Sequence, residues 1–388
     1  MTKMISFLDL EISDKKVLIR QDLNVPIKDG HIESEARIKA CLPTIEYAVS
    51  RKAKVILMSH LGRPEEGVPI ESQKEFSLFP IAKRLAEITS LKVRLESNYL
   101  NGCDFLDEDV LLLENVRVNP GETANDESLS RKLAALCDIF VMDAFASSHR
   151  AHASTQGVAK YSPVACAGPL VLQELRALDN VFSCPKRPIL AIVGGSKVST
   201  KLHILTCLSR EVDLIIVGGG IANTFLAAAG KDIANSLHEP GMIDVAKEIM
   251  GCGRIVLPAD VVVSSEIDEA AEWSVKKADK VSLGDHILDI GPLSISRNRK
   301  LVLDAETIIW NGPLGVFEIP QFSAGTRELG KAIKESKAFS VAGGGDTISA
   351  IESSGCQDGI SYISTGGGAF LEFLEGKTLP GLSALLQK

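Results

Sequence analysis

The chain is organised around the stretch Ala191-Ile192-Val193-Gly194-Gly195-Ser196-Lys197-Val198-Ser199-Thr200-Lys201. Residues 189–193 form a short apolar run rich in β-branched side chains, which predicts a buried strand. Gly194 and Gly195 let the backbone turn tightly and approach a ligand. Lys197 and Lys201 are expected at the start of a helix and on one face of it, where free N–H groups already favour anions. The stretch therefore predicts a phosphate site, with a solvated lysine pair after an ordinary turn as the alternative.

The length and composition of the chain predict a two-domain α/β protein. The chain has 388 residues, which is long for a single core, and its 45% of hydrophobic residues and 32 glycines are typical of a compact fold. The net charge of −8 argues against general nucleic-acid affinity, so an anionic ligand needs a local basic cluster. No apolar run reaches membrane-spanning length, and the first residues predict no signal peptide. Eight scattered cysteines without a Cys-x-x-Cys pair indicate reduced thiols in a cytoplasmic protein.

Strands and helices are expected to alternate through the first half of the chain. Strand-like runs occupy residues 16–20, 54–59, 92–95, 110–113 and 139–142, and helices are expected at about 37–50, 78–88 and 127–136. This alternation predicts a parallel sheet with helices on both faces. A helix at 169–182 is expected to join the halves of the chain, with Pro185-Lys186-Arg187-Pro188 at the boundary.

Basic residues follow the ends of several predicted strands. They are Arg20, His60, Arg63, Arg117, His149, Arg150 and His152, with Arg37 at a helix start and the polar Asp22 and Asn24 after the first strand. Since the carboxyl ends of parallel strands share one edge, where ligands bind, these side chains predict a pocket for a small, multiply negative, hydroxylated molecule. For any single arginine a surface role is the alternative. Metal binding by His149 and His152 is disfavoured because no cysteine or carboxylate completes a site in the neighbouring sequence.

Glycine runs follow apolar strands throughout the second half, and each is expected to lead into a helix. They begin at Gly194, Gly218, Gly312, Gly343 and Gly366. Because glycine backbone can lie against a flat base and a phosphate chain, this set of turns predicts a nucleotide at one sheet edge.

Two familiar nucleotide motifs do not hold. Residues 325–331 nearly match P-loop spacing, but they lack the final Ser or Thr and fall in a predicted helix. Gly218-Gly219-Gly220 begins like a dinucleotide fingerprint without its third glycine, which leaves a nicotinamide dehydrogenase as the alternative enzyme. Asp346 could bind magnesium carried by nucleotide phosphates or simply cap a helix. Glu318 could hold ribose hydroxyls or be a surface charge.

Long strings of the sequence resemble the phosphoglycerate kinase family from end to end. The matching strings are residues 17–26, 59–64, 113–117, 143–145, 149–154, 194–198, 289–292, 310–318, 344–347, 364–369 and 379–381. The chain departs from the usual family pattern at Ala146-Ser147-Ser148, which stand for Gly-Thr-Ala, and at Leu23 for Phe, Gln21 for Val and Gln173 for Lys. None of these changes removes a charged group from the predicted site.

The resemblance implies two Rossmann-like parallel-sheet domains, each of three αβα layers, joined by a hinge helix. It implies a 3-phosphoglycerate-binding domain at 1–168, a connecting helix at 169–185, a nucleotide-binding domain at 186–377 and a tail at 378–388 that packs on the first domain. The implied activity is magnesium-dependent, reversible phosphoryl transfer from 1,3-bisphosphoglycerate to ADP, giving 3-phosphoglycerate and ATP, in glycolysis. A monomer with no nucleic-acid or membrane partner is expected.

The resemblance also implies roles for individual residues. The glycerate is expected to bind Asp22, Leu23, Asn24, Arg37, His60, Leu61, Gly62, Arg63, Arg117 and Arg150. The nucleotide is expected to bind Lys201, Gly291, Glu318, Gly344, Gly345, Asp346 and Thr347, with Asp346 on the metal. Arg37, Lys197 and Lys201 are the implied catalytic residues, with Arg37 and Lys197 facing the phosphoryl group in transfer.

The residue chemistry is compatible with such a transfer. An ionised phosphate oxygen that attacks an acyl phosphate needs no general base, so the reaction depends on in-line positioning and on neutralising the moving charge. Arg37, Lys197, magnesium and glycine-loop N–H groups can supply that neutralisation. With substrates on separate lobes, the lobes are expected to close and exclude water. A nucleotide-sensing protein without turnover is the non-catalytic alternative.

Overall fold

The structure is a computed structural model that describes residues 4–28, 30–182 and 185–386. The chain divides into two units, Met1–Arg176 with Thr378–Lys388, and Ala177–Lys377. The first division falls inside the helix Pro169–Phe182, which therefore contributes to both units. Residues 183 and 184, the part of the predicted connecting helix just beyond it, lie outside the described residues.

The first unit is built on parallel strands. Its strands are β1 (Lys16–Arg20), β2 (Ile27–Lys28), β3 (His31–Ile32), β4 (Lys54–Met58), β5 (Val93–Glu96), β6 (Val110–Leu113), β7 (Ile139–Met142) and β8 (Val164–Ala167). Its helices are α1 (Ala36–Ser50), α2 (Phe79–Thr89), α3 (Glu127–Ala134), α4 (Val158–Tyr161) and α5 (Pro169–Phe182). A 6-stranded sheet has the order β5-β6-β4-β1-β7-β8 and is parallel throughout, while β2 and β3 form a separate antiparallel hairpin.

The central strands of this sheet are apolar because both faces must be covered. Every residue of β6 and β7 is buried, and β1 and β4 are buried except at their first residue. Val17, Ile19 and Leu57 share one core cluster with Ile38 of α1 and Ile81 of α2. Parallel sheets buried on both faces need such continuous apolar strands, which is why these runs could be recognised in the sequence.

The second unit repeats the alternation of strands and helices. Its strands are β9 (Ile189–Val193), β10 (Leu214–Val217), β11 (Ile255–Val256), β12 (Asp260–Ser264), β13 (Trp273–Lys277), β14 (His286–Ile290), β15 (Thr307–Asn311), β16 (Phe339–Gly343) and β17 (Tyr362–Ser364). Its helices are α6 (Leu202–Glu211), α7 (Gly219–Ala228), α8 (Ile243–Met250), α9 (Pro292–Asp304), α10 (Ala324–Glu335), α11 (Gly345–Ser354) and α12 (Gly367–Leu374). The predicted α/β fold class with parallel sheets is thus confirmed.

The main sheet of the second unit has the strand order of the doubly wound dinucleotide-binding fold. Its order is β11-β10-β9-β15-β16-β17, and all of its pairings are parallel. The order reverses between β9 and β15, which are adjacent. In open α/β sheets, ligands bind in the crevice at such a reversal, beyond the carboxyl ends of the strands. Gly194 and Gly312 stand at these two ends.

A small antiparallel sheet in the second unit was not predicted from the sequence. Its order is β13-β12-β14, with a register irregularity between Val262 and Val263. β13 is almost wholly exposed, so its side chains show neither the apolar run nor the clear alternation by which strands are recognised. Its pairing with β12, rather than its own composition, makes this segment a strand.

Two local predictions about helices differ in outcome. The P-loop-like residues 325–331 lie inside α10, which confirms that they are no phosphate loop. The expectation that Lys197 and Lys201 both lie at the start of a helix is wrong for Lys197, which precedes the helical residues. Lys201 ends a turn of 3-10 helix (Ser199–Lys201) that runs directly into α6. The expectation that each glycine run leads into a helix is confirmed for α7, α11 and α12, which begin within such runs. It is wrong for the run at Gly312, which leads into a loop before α10.

The last described residues belong to the first unit. The short helix α13 (Pro380–Ser383) lies in this tail, where the N–H of Gly381 donates to the carbonyl of Ser148 (2.8 Å) and Met4 forms a bridge with Leu386. Among the described helices, none combines the length and the apolarity that crossing a membrane requires.

Candidate functional site

Basic side chains from neighbouring strands meet beyond the carboxyl edge of the first sheet. Arg20 ends β1, His60 follows β4, Arg117 follows β6, and Arg150 and His152 follow β7. Because these strands are parallel and adjacent, their ends lie on one edge. We call these side chains, together with Arg63, the basic cluster.

Part of the basic cluster lines a cavity of about 330 Å³. The lining residues are Arg63, Pro64, Glu66, Arg117, Thr123, Arg150 and His152. Burial, with the nearby charges of Arg150 and Arg20, lowers the pKa of Arg117 to about 10. Burial and the arginines likewise lower the pKa of His152 to about 4, so this imidazole is neutral at neutral pH. The arginines of this cavity repel one another, and an anionic ligand would relieve that repulsion.

Arg20 and His60 form the buried floor of the basic cluster. Arg20 is 1% exposed and His60 5%, and Nη2 of Arg20 donates to Nδ1 of His60 (3.0 Å). A guanidinium can only donate, so Nδ1 of His60 must be the acceptor. That nitrogen therefore carries no proton, and the imidazole is neutral. Burial and the charges of Arg20 and Arg117 hold the pKa of His60 well below its usual range.

A second group joins the start of α1 to the loop after β1. Nη1 of Arg37 donates to the carbonyl of Asn24 (2.6 Å) and lies 3.3 Å from Oδ2 of Asp22. Oδ1 of Asn24 accepts from the N–H of Gly62 (2.9 Å), and the carbonyl of Gly62 accepts from Nη1 of Arg117 (2.7 Å). The structure therefore brings these predicted residues together and connects them to the basic cluster. The Arg37 side chain is 36% exposed and so remains open to a ligand.

Two predicted residues of the same site cannot offer their side chains. Leu23 and Leu61 are 0% and 5% exposed and belong to the core of the first unit. The N–H of Leu23 already donates to Oγ of Ser59 (3.0 Å). The family resemblance implied contact of both residues with a ligand, but any such contact must run through their remaining backbone groups.

In the second unit, Lys201 lies at the strand reversal of the main sheet. Its Nζ donates to the carbonyls of Gly194 (2.6 Å) and Asn311 (3.0 Å), at the ends of β9 and β15. Burial lowers the pKa of Lys201 to about 8, while the charge of Asp346 acts in the opposite direction. The ammonium is thus held at the crevice by backbone oxygens and carries its charge at neutral pH.

The start of α11 borders the same crevice. Gly344 caps this helix with φ +104°, a conformation that favours glycine. Oγ1 of Thr347 accepts from the N–H of Gly312 (2.8 Å) and donates to the carbonyl of Gly343 (2.8 Å). Gly345 and Asp346 are exposed in the first turn. The free N–H groups of a helix start and a nearby ammonium together suit a phosphate.

The other predicted residues of the second unit lie apart from these contacts. Lys197 and Glu318 are exposed and make no side-chain hydrogen bond or ion pair within the described residues. Gly291 caps α9 and is buried, and a side chain there would meet the carboxylate of Asp260 at 2.4 Å. Lys197 and Lys201 therefore differ in environment, one open to solvent and one fixed by carbonyls, instead of forming the predicted pair.

Sequence reasoning missed two buried polar residues beside these sites. Glu122 is 0% exposed and its Oε1 lies 3.9 Å from Nδ1 of His152. Asn311 is 2% exposed, donates from Nδ2 to the carbonyl of Gly343 (2.7 Å), and its Oδ1 makes no hydrogen bond to a described residue. Asn311 could have been noticed as a polar residue that ends an apolar strand. Glu122 follows Pro-Gly in a loop, and nothing in that pattern indicates a site.

The described residues contain no group of three or more His, Cys, Asp or Glu side chains that could by itself hold a metal ion. Asp346 is a single exposed carboxylate next to the crevice that contains Lys201. Magnesium is commonly held by one or two carboxylates plus substrate phosphates, with water completing its shell. The donor set therefore fits a magnesium ion that arrives with a phosphorylated ligand, and does not fit a resident metal centre.

Comparisons with known proteins place the whole chain in one context. The family described as Phosphoglycerate kinase matches residues 7–377. The chain is 48% identical to the solved structure of phosphoglycerate kinase from Coxiella burnetii, with 99% of each chain covered and a TM-score of 0.95. It is 33% identical to phosphoglycerate kinase from Pyrococcus horikoshii OT3, with 98% of each chain covered and a TM-score of 0.81.

Proposed function

The chain belongs to the phosphoglycerate kinase family, and from that premise we propose which of its residues hold each substrate. The activity is reversible phosphoryl transfer between 1,3-bisphosphoglycerate and ADP, a step of glycolysis, by a phosphotransferase with a carboxyl acceptor. This membership decides against the nicotinamide dehydrogenase that the sequence had left open. What remains to be proposed is the role of each residue, the metal, the oligomeric state and the location.

We propose that 3-phosphoglycerate binds at the carboxyl edge of the first sheet. Its binding residues are Asp22, Leu23, Asn24, Arg37, His60, Leu61, Gly62, Arg63, Arg117 and Arg150. The observation that carries this proposal is the cavity into which Arg63, Arg117 and Arg150 converge. Guanidinium groups pair bidentately with phosphate and carboxylate, the two anionic ends of this substrate. We assign Asp22 and Asn24, whose side chains can donate to or accept from hydroxyls, to its hydroxyl group.

We propose that the nucleotide binds in the crevice between β9 and β15. Lys201, Gly344, Gly345, Asp346 and Thr347 border that crevice, and Gly291 and Glu318 are assigned to the same ligand on the family resemblance. The strand reversal, the helix start and the buried ammonium support this assignment. Asp346 would hold magnesium, which when bound with the nucleotide supplies further neutralisation of phosphate charge.

The proposed chemistry needs positioning and charge neutralisation, not proton transfer. The attacking phosphate oxygen is already ionised, so neither neutral His60 nor neutral His152 is required as a base. Arg37 and Lys197 carry guanidinium and ammonium groups open to solvent, and we assign them to the phosphoryl group in transfer. Lys201, fixed by two carbonyls, would orient the nucleotide phosphates.

A coupled assay with matched variants tests this division of the substrates. Arg63→Ala should raise KM for 3-phosphoglycerate about tenfold and leave KM for ATP unchanged, because one charge-assisted contact is lost. Asp346→Ala should raise KM for ATP and leave KM for 3-phosphoglycerate unchanged. It should also raise the magnesium concentration needed for half-maximal rate. If either variant changes the KM of the other substrate instead, the assignment of the two sites is wrong.

We further propose that the protein is a monomer and works in the cytoplasm. Reduced cysteines support the location, since the described thiols form no disulfide. Light scattering of the purified chain should give a mass near 41.6 kDa. A mass of twice that value would contradict the monomer.

A further inference from the structure

Glu122 is a carboxylate buried among the cations of the basic cluster. Its side chain is 0% exposed, and the charges of the fully buried Arg20 and of Arg117 favour its ionised form. Burial raises the pKa of Glu122, whereas hydrogen bonds from Ser154 and the charge of Arg20 lower it. An unpaired buried guanidinium is costly, so a carboxylate in this place compensates Arg20.

The contacts of Glu122 lead directly to Arg20. Both carboxylate oxygens accept from Ser154, Oε1 from its Oγ (2.5 Å) and Oε2 from its N–H (3.0 Å). Oγ of Ser154 in turn accepts from Nε of Arg20 (3.2 Å). Arg20 then donates to His60, so four buried side chains form one chain of hydrogen bonds. Buried hydrogen-bond networks of this kind hold their side chains rigidly in place.

The backbone of Glu122 holds the loop that carries the other cations. Its carbonyl accepts from the N–H of Ala153 (2.9 Å). Oγ1 of Thr155 donates to the carbonyl of Arg150 (2.7 Å), so the same short loop is tied back to Arg150. His152 belongs to the same loop, between Arg150 and Ala153 in the chain, and its Nδ1 lies 3.9 Å from Oε1 of Glu122. The position of Glu122 is therefore coupled to the buried Arg20 and to the loop that carries Arg150 and His152, which line the cavity.

We propose that Glu122 is a positioning residue for the glycerate site, acting through Ser154 on Arg20 and on the loop of Arg150. It does not touch the substrate. It holds Arg20, which donates to His60, and it holds the loop that carries Arg150, so it orients two of the proposed binding residues. Its charge offsets that of the buried Arg20. This inference rests on the proposed function, because it assumes that the basic cluster is the glycerate site.

The test compares Glu122→Gln with Glu114→Gln under steady-state conditions with 3-phosphoglycerate and ATP. Glu114 is the matched control, a 3% exposed carboxylate of the same unit that accepts from Ser77 and from the N–H of Leu78. Glu122→Gln should raise KM for 3-phosphoglycerate about tenfold, the loss expected from a weakened charged hydrogen bond, with kcat within about twofold. KM for ATP should not change, and Glu114→Gln should leave both KM values unchanged.

A second variant keeps the inference testable if Glu122→Gln does not fold. Ser154→Ala leaves the carboxylate in place but removes its link to Arg20, and it should raise the same KM. The two substitutions combined should be less than additive, because they break one chain of contacts.

Three results would count against the inference, and they can be told apart. Unchanged KM for 3-phosphoglycerate in both Glu122→Gln and Ser154→Ala, alongside a raised KM in Arg63→Ala, overturns the positioning role alone. An equal loss of thermal stability in the Glu122 and Glu114 variants with no KM change reduces Glu122 to a structural role. Unchanged KM in Arg63→Ala as well overturns the glycerate site itself.

Discussion

Individual charged residues in this protein acquire their properties from burial. Arg117 and His152 lose proton affinity because they are buried next to other cations, and Lys201 because it is enclosed by backbone. Lys197, by contrast, stays exposed. Residues of identical type therefore differ in exposure and in freedom to move, which is why we propose that Lys201 holds phosphates and that Lys197 meets the transferred group.

At this scale we expect Lys197→Ala to separate binding from turnover. The side chain makes no hydrogen bond or ion pair with a described residue, so the fold should survive and both substrates should bind with KM values near those of the unaltered chain. Turnover should fall by a factor of roughly 10² or more, because a charge facing the transferred group is lost. Arg37→Ala should also cripple transfer. Steady-state kinetics decide the matter, and near-normal kcat in both variants would remove these residues from the reaction.

The pKa of Lys201 predicts a pH dependence of nucleotide binding. As pH rises through about 8, the free protein loses the ammonium charge, so kcat/KM for ATP should decline on the alkaline side of that value. Lys201→Met should show a lower kcat/KM in which this decline is absent. An alkaline limb that is the same in both proteins would assign the titration to another group.

Linkage gives the same lysine an opposite effect on folding. Its pKa is lower in the folded protein than the usual 10.5, so between about pH 8 and 10.5 the unfolded chain binds more protons. The free energy of unfolding therefore increases, and the fold becomes more stable, as pH rises through that window. Stability and nucleotide affinity should change in opposite directions there.

At the scale of elements, β9 and β15 lie so close at their carboxyl ends that there is no room for a side chain at Gly194. A methyl group there would lie 1.7 Å from the carbonyl oxygen of Pro313, a backbone atom that cannot rotate away. We expect Gly194→Ala to lower the free energy of unfolding by about 1–3 kcal/mol, as overpacked sites do, and to displace the carbonyl that holds Lys201.

Gly367 supplies the control for that substitution. It begins α12 and has no heavy atom within 4 Å of an added side chain, so Gly367→Ala should be neutral or slightly stabilising. Urea unfolding of both variants is the measurement. Equal midpoints would show that the strand ends can separate at little cost.

The elements also show where sequence reasoning succeeds. The strands β6, β7 and β9 and the helix α5 were predicted with the bounds they have, because full burial makes each strand apolar along its length. β13 was missed because it is exposed on an edge, where composition is free to vary. The helical start was placed too early because a lysine pair with helical spacing is equally compatible with a loop at Lys197 followed by a turn of 3-10 helix at Ser199–Lys201.

At the scale of the whole molecule, the two proposed sites belong to different units of the chain. Substrates bound to separate units must be brought into line before transfer, so we predict that the protein closes when both are present. In small-angle scattering, the protein with both 3-phosphoglycerate and a non-hydrolysable ATP analogue should have a smaller radius of gyration than the protein with either ligand alone. A crystal structure with both ligands in one unit would contradict the prediction.

The sequence alone determined the fold class, the succession of buried strands and the family, since these depend on local patterns and on strings of residues. Only the tertiary structure decided how the site residues act on one another. Arg20 and Ser154 are 134 positions apart, and Lys201 and Asn311 are 110 apart, yet each pair shares a hydrogen bond. Parallel strands bring such distant ends to one edge, and burial there changes ionisation. Neither effect is present in the order of residues, which is why Glu122 and Asn311 could be found only in the folded protein.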